Sequence, residues 1–247
     1  MSRVDRVVGL ARSLAIYHLL PRRQRPMRAL YGQFVTTGDL VFDVGAHVGN
    51  RTRALVALGC RVVAVEPQPA VAATLRAVAR GWPGVTVVEA AVSSTRGRAT
   101  LAVSERHPTV STLAHEWRNA RRDDADFAGV EWNDAVEVET TTLDALIAHH
   151  GEPAFIKIDI EGGELAALTG LTRAVRVVSY EFLPQTLDAA AACADRLGAL
   201  CDYRFNWALG ESHALASAEW LTRAAFIDRI TTAGLTRHGD VYARRLD

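Results

Sequence analysis

The stretch "LVFDVGAHVGN", Leu40–Asn50, runs from five residues of strand character into a turn punctuated by glycine. Four of the five are apolar, so the run reads as a strand buried on both faces. Gly45 and Gly49 remove side chains where the chain swings from strand to helix. Asp43 stands near the strand tip, and in open parallel sheets ligands bind outside the carboxyl ends of the strands. The spacing D-x-G-x-x-x-G differs from the G-x-G-x-x-G of nicotinamide binders, and a carboxylate is poorly placed beside a pyrophosphate. It suits a cationic ligand.

Outward from this stretch, strand-length apolar runs alternate with helical periods. The runs are "RVVAVE" (61–66), "VTVVEA" (85–90), "FIKID" (155–159) and "VVSYEF" (177–182), with helices expected after Gly49, Pro69, Gly162 and Gln185. "VYARR" (241–245) is expected to close the sheet. This alternation predicts an α/β fold with a doubly wound, mostly parallel sheet. Between the third and fourth core strands lies an excursion with two strand-like pieces, "GRATLAVS" and "AVEVETTTLDAL", and residues 104–135 between them read as an insertion or lid. Residues 1–37 read as an N-terminal helical extension and 38–247 as one core domain.

A chain of 247 residues, 49% of them apolar, is long enough for one large core. With 28 basic and 28 acidic residues no overall field draws it onto nucleic acid, and the N-terminal periodic stretch, interrupted by Arg6 and Arg12, is no membrane span. Cys60, Cys193 and Cys201 show no C-x-x-C spacing, which fits a reducing cytoplasm. The oligomeric state stays open, a homodimer being one option.

The second strand ends in Glu66, about 20 residues beyond Asp43, where α/β nucleotide binders place an acid on a ribose diol. Two acids around an adenosine-type site favour S-adenosylmethionine. At the third strand's end Glu89 offers a polar rim, and the small Ala90 and Ala91 leave room for adenine.

Taken in order, "VFDVGAHVGN", "VVAVEPQP", "VVEAAVS", "TTLDAL", "FIKIDIEGGE" and "VVSYEF" resemble the successive motifs of FkbM-type S-adenosylmethionine-dependent methyltransferases, over roughly Leu40–Glu181. The resemblance implies a class I methyltransferase fold, Rossmann-like, for the core domain, and methylation of hydroxyl groups on sugars or polyketide-like products. Carried onto this sequence, it assigns cofactor binding to Asp43, Gly45, Gly49, Asn50 and Glu66, with Glu89 and Ala90 near the adenine.

"FIKIDIEGGE" holds the chain's one lysine, Lys157, in an apolar strand, two residues before Asp159. Strand alternation puts both on one face, with Asp159 at the strand end beside the methyl donor. A buried lysine is able to act as a base, which a guanidinium is not, whereas a structural lysine would merely neutralise an acid. Asp159 is either a general base or, with Glu181 at the adjacent strand tip, a ligand of Mg²⁺. His115, in the insertion, is a further base candidate, while Glu164 reads as a helix-dipole partner.

The expected activity is O-methylation of a saccharide hydroxyl, a mannoside or other bacterial glycan among the candidates. A polyketide or peptide hydroxyl is the alternative acceptor, and a non-catalytic cofactor-binding regulatory subunit the alternative class.

Overall fold

The computed structural model describes residue 14 and residues 24–103 and 134–246. In chain order the elements are α1 (Gln24–Tyr31), β1 (Leu40–Val44), α2 (Asn50–Val56), β2 (Arg61–Val65), α3 (Pro69–Ala79), β3 (Val85–Val88), β4 (Ala91–Val92), β5 (Gly97–Val103) and β6 (Asp134–Thr141). There follow α4 (Leu143–His150), β7 (Phe155–Ile158), α5 (Glu164–Thr169), β8 (Val177–Phe182), α6 (Leu187–Gly198), β9 (Tyr203–Leu209), α7 (Arg223–Thr232) and β10 (Gly239–Arg245).

Seven strands form the main sheet in the order β3-β2-β1-β7-β8-β10-β9. The first five are parallel, and β10 runs antiparallel to both β8 and β9, between which it is inserted. The apolar runs are buried on both faces because helices cover both. One face carries Phe42, Ile156, Val178, Tyr180 and Phe205 into a core shared with Leu168, Cys193, Leu197 and Phe226 of the helices that follow. The other carries Val41, Phe155, Val177 and Tyr242 against Met27, Leu30, Tyr31 and Phe34. The described part of the N-terminal extension is thus packed on the sheet.

The expected strands are present, with "RVVAVE", "VTVVEA" and "FIKID" each ending one or two residues early. The "LDAL" end of the second strand-like piece belongs to α4, which starts after its cap at Thr142, and β9 and α7 were not expected. In β9 the alternation of Tyr203, Phe205 and Trp207 into the core is a period-two signal, and α7 is capped by Thr222, whose hydroxyl accepts from the Ala225 N–H. The excursion after β3 forms a separate three-stranded sheet, β4-β6-β5, with Leu101, Val103 and Val138 buried together. Residues 104–133, which include His115, lie outside the described residues.

Candidate active site

The strand order reverses between β1 and β7, and the carboxyl ends of these strands open onto a cleft of about 240 Å³. Its walls are the β1 turn (Val44, Gly45, His47), the β2 turn (Val65–Gln68), the segment Ala90–Ser93 with Leu101, and the β7 turn (Asp159–Gly163) with Ala166. Gly45 has φ +82°, and a Cβ there would stand 1.8 Å from the carbonyl oxygen of Asp159, so only glycine lets the β1 and β7 turns meet backbone to backbone.

Glu66 closes β2 inside this cleft, with 3% of its surface exposed. Its Oε2 accepts the His47 backbone N–H at 3.0 Å and its Oε1 that of Gln68 at 2.9 Å. Burial pushes its carboxyl up to about 7, against the pull of those donors. The Gln68 side chain donates to the carboxylate as well, which leaves one lone-pair site for a hydroxyl donor. Ala90, Ala91, Val92 and Leu101 supply an apolar flank at the same end of the cleft, the lining a flat heterocycle needs.

Other residues expected at the cofactor stand behind the cleft wall. Asp43 is fully buried, with Oδ2 accepting from the Thr52 hydroxyl at 2.5 Å, and burial raises its carboxyl. Asn50 Oδ1 accepts from Gln24 Nε2 at 2.7 Å, tying the starts of α1 and α2 together. Gly49 (φ +86°) precedes α2 and leaves room for the side chains of Leu75 and Trp82. Glu89 pairs with Arg76 at 2.7 Å on the surface. Of the expected set, Gly45, Glu66 and Ala90 line the cleft.

At the other end of the cleft the β7 turn gathers charge. Asp159 Oδ2 lies 2.8 Å from Arg51 Nη2 and 3.7 Å from Lys157 Nζ. Burial works to raise the Asp159 carboxyl, but Lys157, Arg51 and a hydrogen bond with Glu181 hold it below the usual carboxylate range. Glu181 is the other member of the pair: burial, with Asp159 and Glu161 beside it, pushes its carboxyl well up. One proton is therefore shared, carried on Glu181 and donated toward Asp159. Carboxylate oxygens of Asp159, Glu161 and Glu181 lie within 4.8 Å of one another.

Lys157 is buried completely and donates to Asp240 Oδ1 at 2.9 Å and to the Ile158 carbonyl at 3.0 Å. Burial works to lower its pKa, yet Asp240 and Asp159 outweigh that and hold it raised. A base needs the opposite shift. Glu164 stands in the first turn of α5, as a dipole partner would, and its Oε1 also accepts the Ile160 backbone N–H at 3.0 Å, bracing the turn that carries Asp159. Arg51 and Asp240 were not singled out from sequence. A buried lysine signals a counter-charge somewhere, but nothing local in the sequence points to Asp240.

Residues 43–206 match the family described as Methyltransferase FkbM domain. No curated protein matches the chain. Among solved structures it is similar to the O-methyltransferase from Bacillus cereus in complex with SAH, at TM-score 0.50 and 12% identity over 100% of this chain and 92% of that one. It is also similar to precorrin-6y C5,15-methyltransferase from Geobacter metallireducens GS-15 (TM-score 0.47, 14% identity, 89% and 87% covered). A TehB-like SAM-dependent methyltransferase from Corynebacterium glutamicum ATCC 13032 Kitasato gives TM-score 0.46 at 10% identity, with 90% and 88% covered. At 12% identity the likeness to the Bacillus cereus enzyme is one of fold, that of the class I methyltransferases.

Proposed function

The chain belongs to the FkbM methyltransferase family, and from that premise we propose that this S-adenosylmethionine-dependent enzyme methylates a hydroxyl group of a saccharide. The observation that carries the reading is the convergence of Asp159, Glu161 and Glu181, the first two of which line the same cleft as Glu66. Carboxylates are the natural hydrogen-bond acceptors for the hydroxyls of a sugar, and the same cluster repels the phosphates of a nucleic acid. Among the described residues no helix is long and apolar enough to cross a membrane, and the three cysteines are free thiols, on which a cytoplasmic placement rests.

The residues present fit S-adenosylmethionine: Glu66 would hold the ribose diol, the Ala90–Val92 flank the adenine, and the Gly45 turn the amino-acid end. When bound, the cofactor supplies a methyl group on a sulfonium. The chain's own work is then positional. Asp159, kept ionised by Lys157 and Arg51, accepts a hydrogen bond from the acceptor hydroxyl and so orients its oxygen. As the new C–O bond forms, the hydroxyl becomes far more acidic, and a carboxylate held below its usual range still takes the proton. Glu181 stabilises that carboxylate by donating to it until then. A hard divalent ion such as Mg²⁺ fits the same oxygen-only set; Asp159, Glu161 and Glu181 would hold it, and it would supply Lewis acidity.

Incubation of the purified chain with labelled S-adenosylmethionine and a panel of glycosides, followed by mass spectrometry of the products, tests the reading. A methyl ether on a sugar is expected. Methylation confined to apolar hydroxyl acceptors, or to nitrogen or carbon, would replace the saccharide assignment.

A further inference from the structure

One rung of the main sheet is polar across four adjacent strands. Asp43 of β1 faces Lys157 of β7, Lys157 faces Ser179 of β8, and Ser179 faces Tyr242 of β10. All four are fully buried. Because the pairings are direct, the four side chains share one face, with neighbouring backbones about 4.8 Å apart. Tyr31 of α1 and Arg51 of α2 come close from above: Tyr31 feels the charges of Arg51, Lys157 and Asp43, and Tyr242 those of Tyr31 and Arg51.

Five buried polar atoms of this group lack a hydrogen-bond partner among the described residues: Tyr31 Oη, Asp43 Oδ1, Arg51 Nε, Ser179 Oγ and Tyr242 Oη. Ser179 and Tyr242 interact with each other, though short of hydrogen-bond geometry. Lys157 adds a sixth unmet need. Two of its three ammonium protons are matched at 3.0 and 2.9 Å, but the next acceptor, Asp159 Oδ2, stands at 3.7 Å. Isolated orphans of this kind are rare, and each costs about 1–3 kcal/mol of desolvation, so a group of them facing one another calls for an occupant. The occupant must both donate and accept, must be small, and need carry no charge, since Arg51 and Lys157 already have Asp159 and Asp240 as counter-charges.

We propose that the space between this rung and the Tyr31 and Arg51 side chains is a sealed site for ordered water, at least two molecules, bridging Ser179, Tyr242, Tyr31 and Asp43 and completing the hydration of the Lys157 ammonium. A buried water typically makes about three hydrogen bonds, and the six unmet positions satisfy two such molecules. These waters are the fixed solvent of the cation that keeps Asp159 ionised, so they are part of the site's electrostatics although they lie behind it.

A crystal structure of the full chain, at a resolution that shows solvent, tests this directly. Solvent peaks within hydrogen-bond distance of at least two of Tyr31 Oη, Ser179 Oγ and Tyr242 Oη are expected. Hydroxyls turned onto protein acceptors, with no solvent density between them, overturn the proposal. A thermal-melting cycle on Ser179→Ala and Tyr31→Phe, which do not touch each other directly, gives a second readout. Each single change removes one ligand of a shared water and is expected to lower Tm by about 2–4 °C, with the double variant losing less than the sum. Additive losses, or none, overturn the shared site.

Discussion

Lys157 donates to Asp240 across 2.9 Å, closer than its 3.7 Å approach to Asp159, so the chain's one lysine is anchored by a residue of the last strand rather than by its neighbour in sequence. Asp240→Asn leaves a buried ammonium with half its compensation. The expected cost is about 3–5 kcal/mol, read as a lowered midpoint in urea unfolding, and loss of less than about 1 kcal/mol would show the pair to be dispensable. Lys157→Arg keeps the charge but not the compact head group, and a fully buried site has no room for the fork; at least a tenfold loss of turnover is expected. Full activity there would leave the lysine a purely electrostatic role.

Gly45→Ala is expected to be among the most damaging single changes in the chain. It introduces a Cβ 1.8 Å from the Asp159 carbonyl oxygen at φ +82°, so the β1 and β7 turns must separate. Circular dichroism melting and calorimetric titration with S-adenosylmethionine should both report losses. Retained affinity in a folded Gly45→Ala variant would show that the contact is not needed to shape the cleft.

Glu66 titrates at about 7 in the folded chain against an ordinary value of 4.5. The folded state thus holds this proton more tightly than the unfolded chain, and the stabilisation, about 3 kcal/mol at most, is complete below pH 4.5 and lost as pH rises through about 7. Glu164 shifts in the same direction, also to about 7, and adds to the slope. Melting temperature measured across that window should fall with rising pH, and less steeply in Glu66→Gln. The ribose diol favours the ionised carboxylate, so cofactor binding near pH 7 should release protons, visible as a dependence of the calorimetric heat on buffer. Heats independent of buffer would place the diol elsewhere.

Asp159→Asn keeps the shape of the side chain and removes the proton acceptor. Turnover should fall by at least about 10²-fold while cofactor affinity stays near normal, since Glu66 and the Ala90 flank are untouched. Chelation separates the two readings of the carboxylate cluster. Activity abolished by a chelator and restored by Mg²⁺ assigns Asp159, Glu161 and Glu181 to the ion; activity indifferent to chelation leaves Asp159 acting alone. Near-normal turnover of Asp159→Asn would remove it from the reaction.

The core of the sheet was legible because doubly buried strands are written as unbroken apolar runs, and the positions of Gly45, Glu66 and Asp159 at strand ends followed from that reading. Asp43 and Asn50 were harder. The same motif that places Gly45 on the cleft turns Asp43 inward to Thr52 and Asn50 toward Gln24, and a sequence does not state which way a side chain points at a strand tip. Arg51 and Asp240 escaped notice because their partners are remote: each becomes meaningful only once the register of β10 on β8, or the path of α2 over the sheet, is known. The β9 strand was available in the alternation of its aromatics.

The insertion of β10 between β8 and β9 sets an order of events for the newborn chain. Lys157 leaves the ribosome long before Asp240, so for much of synthesis the strand that carries it has a charge it cannot bury. The two halves of the sheet cannot zip together either, because the strand that joins them is made last. Chain length is therefore a checkpoint: a nascent protein stalled before β10 keeps an open sheet edge and a hydrated lysine, a form that chaperones bind and that only a β10 strand lent by a finished copy would complete.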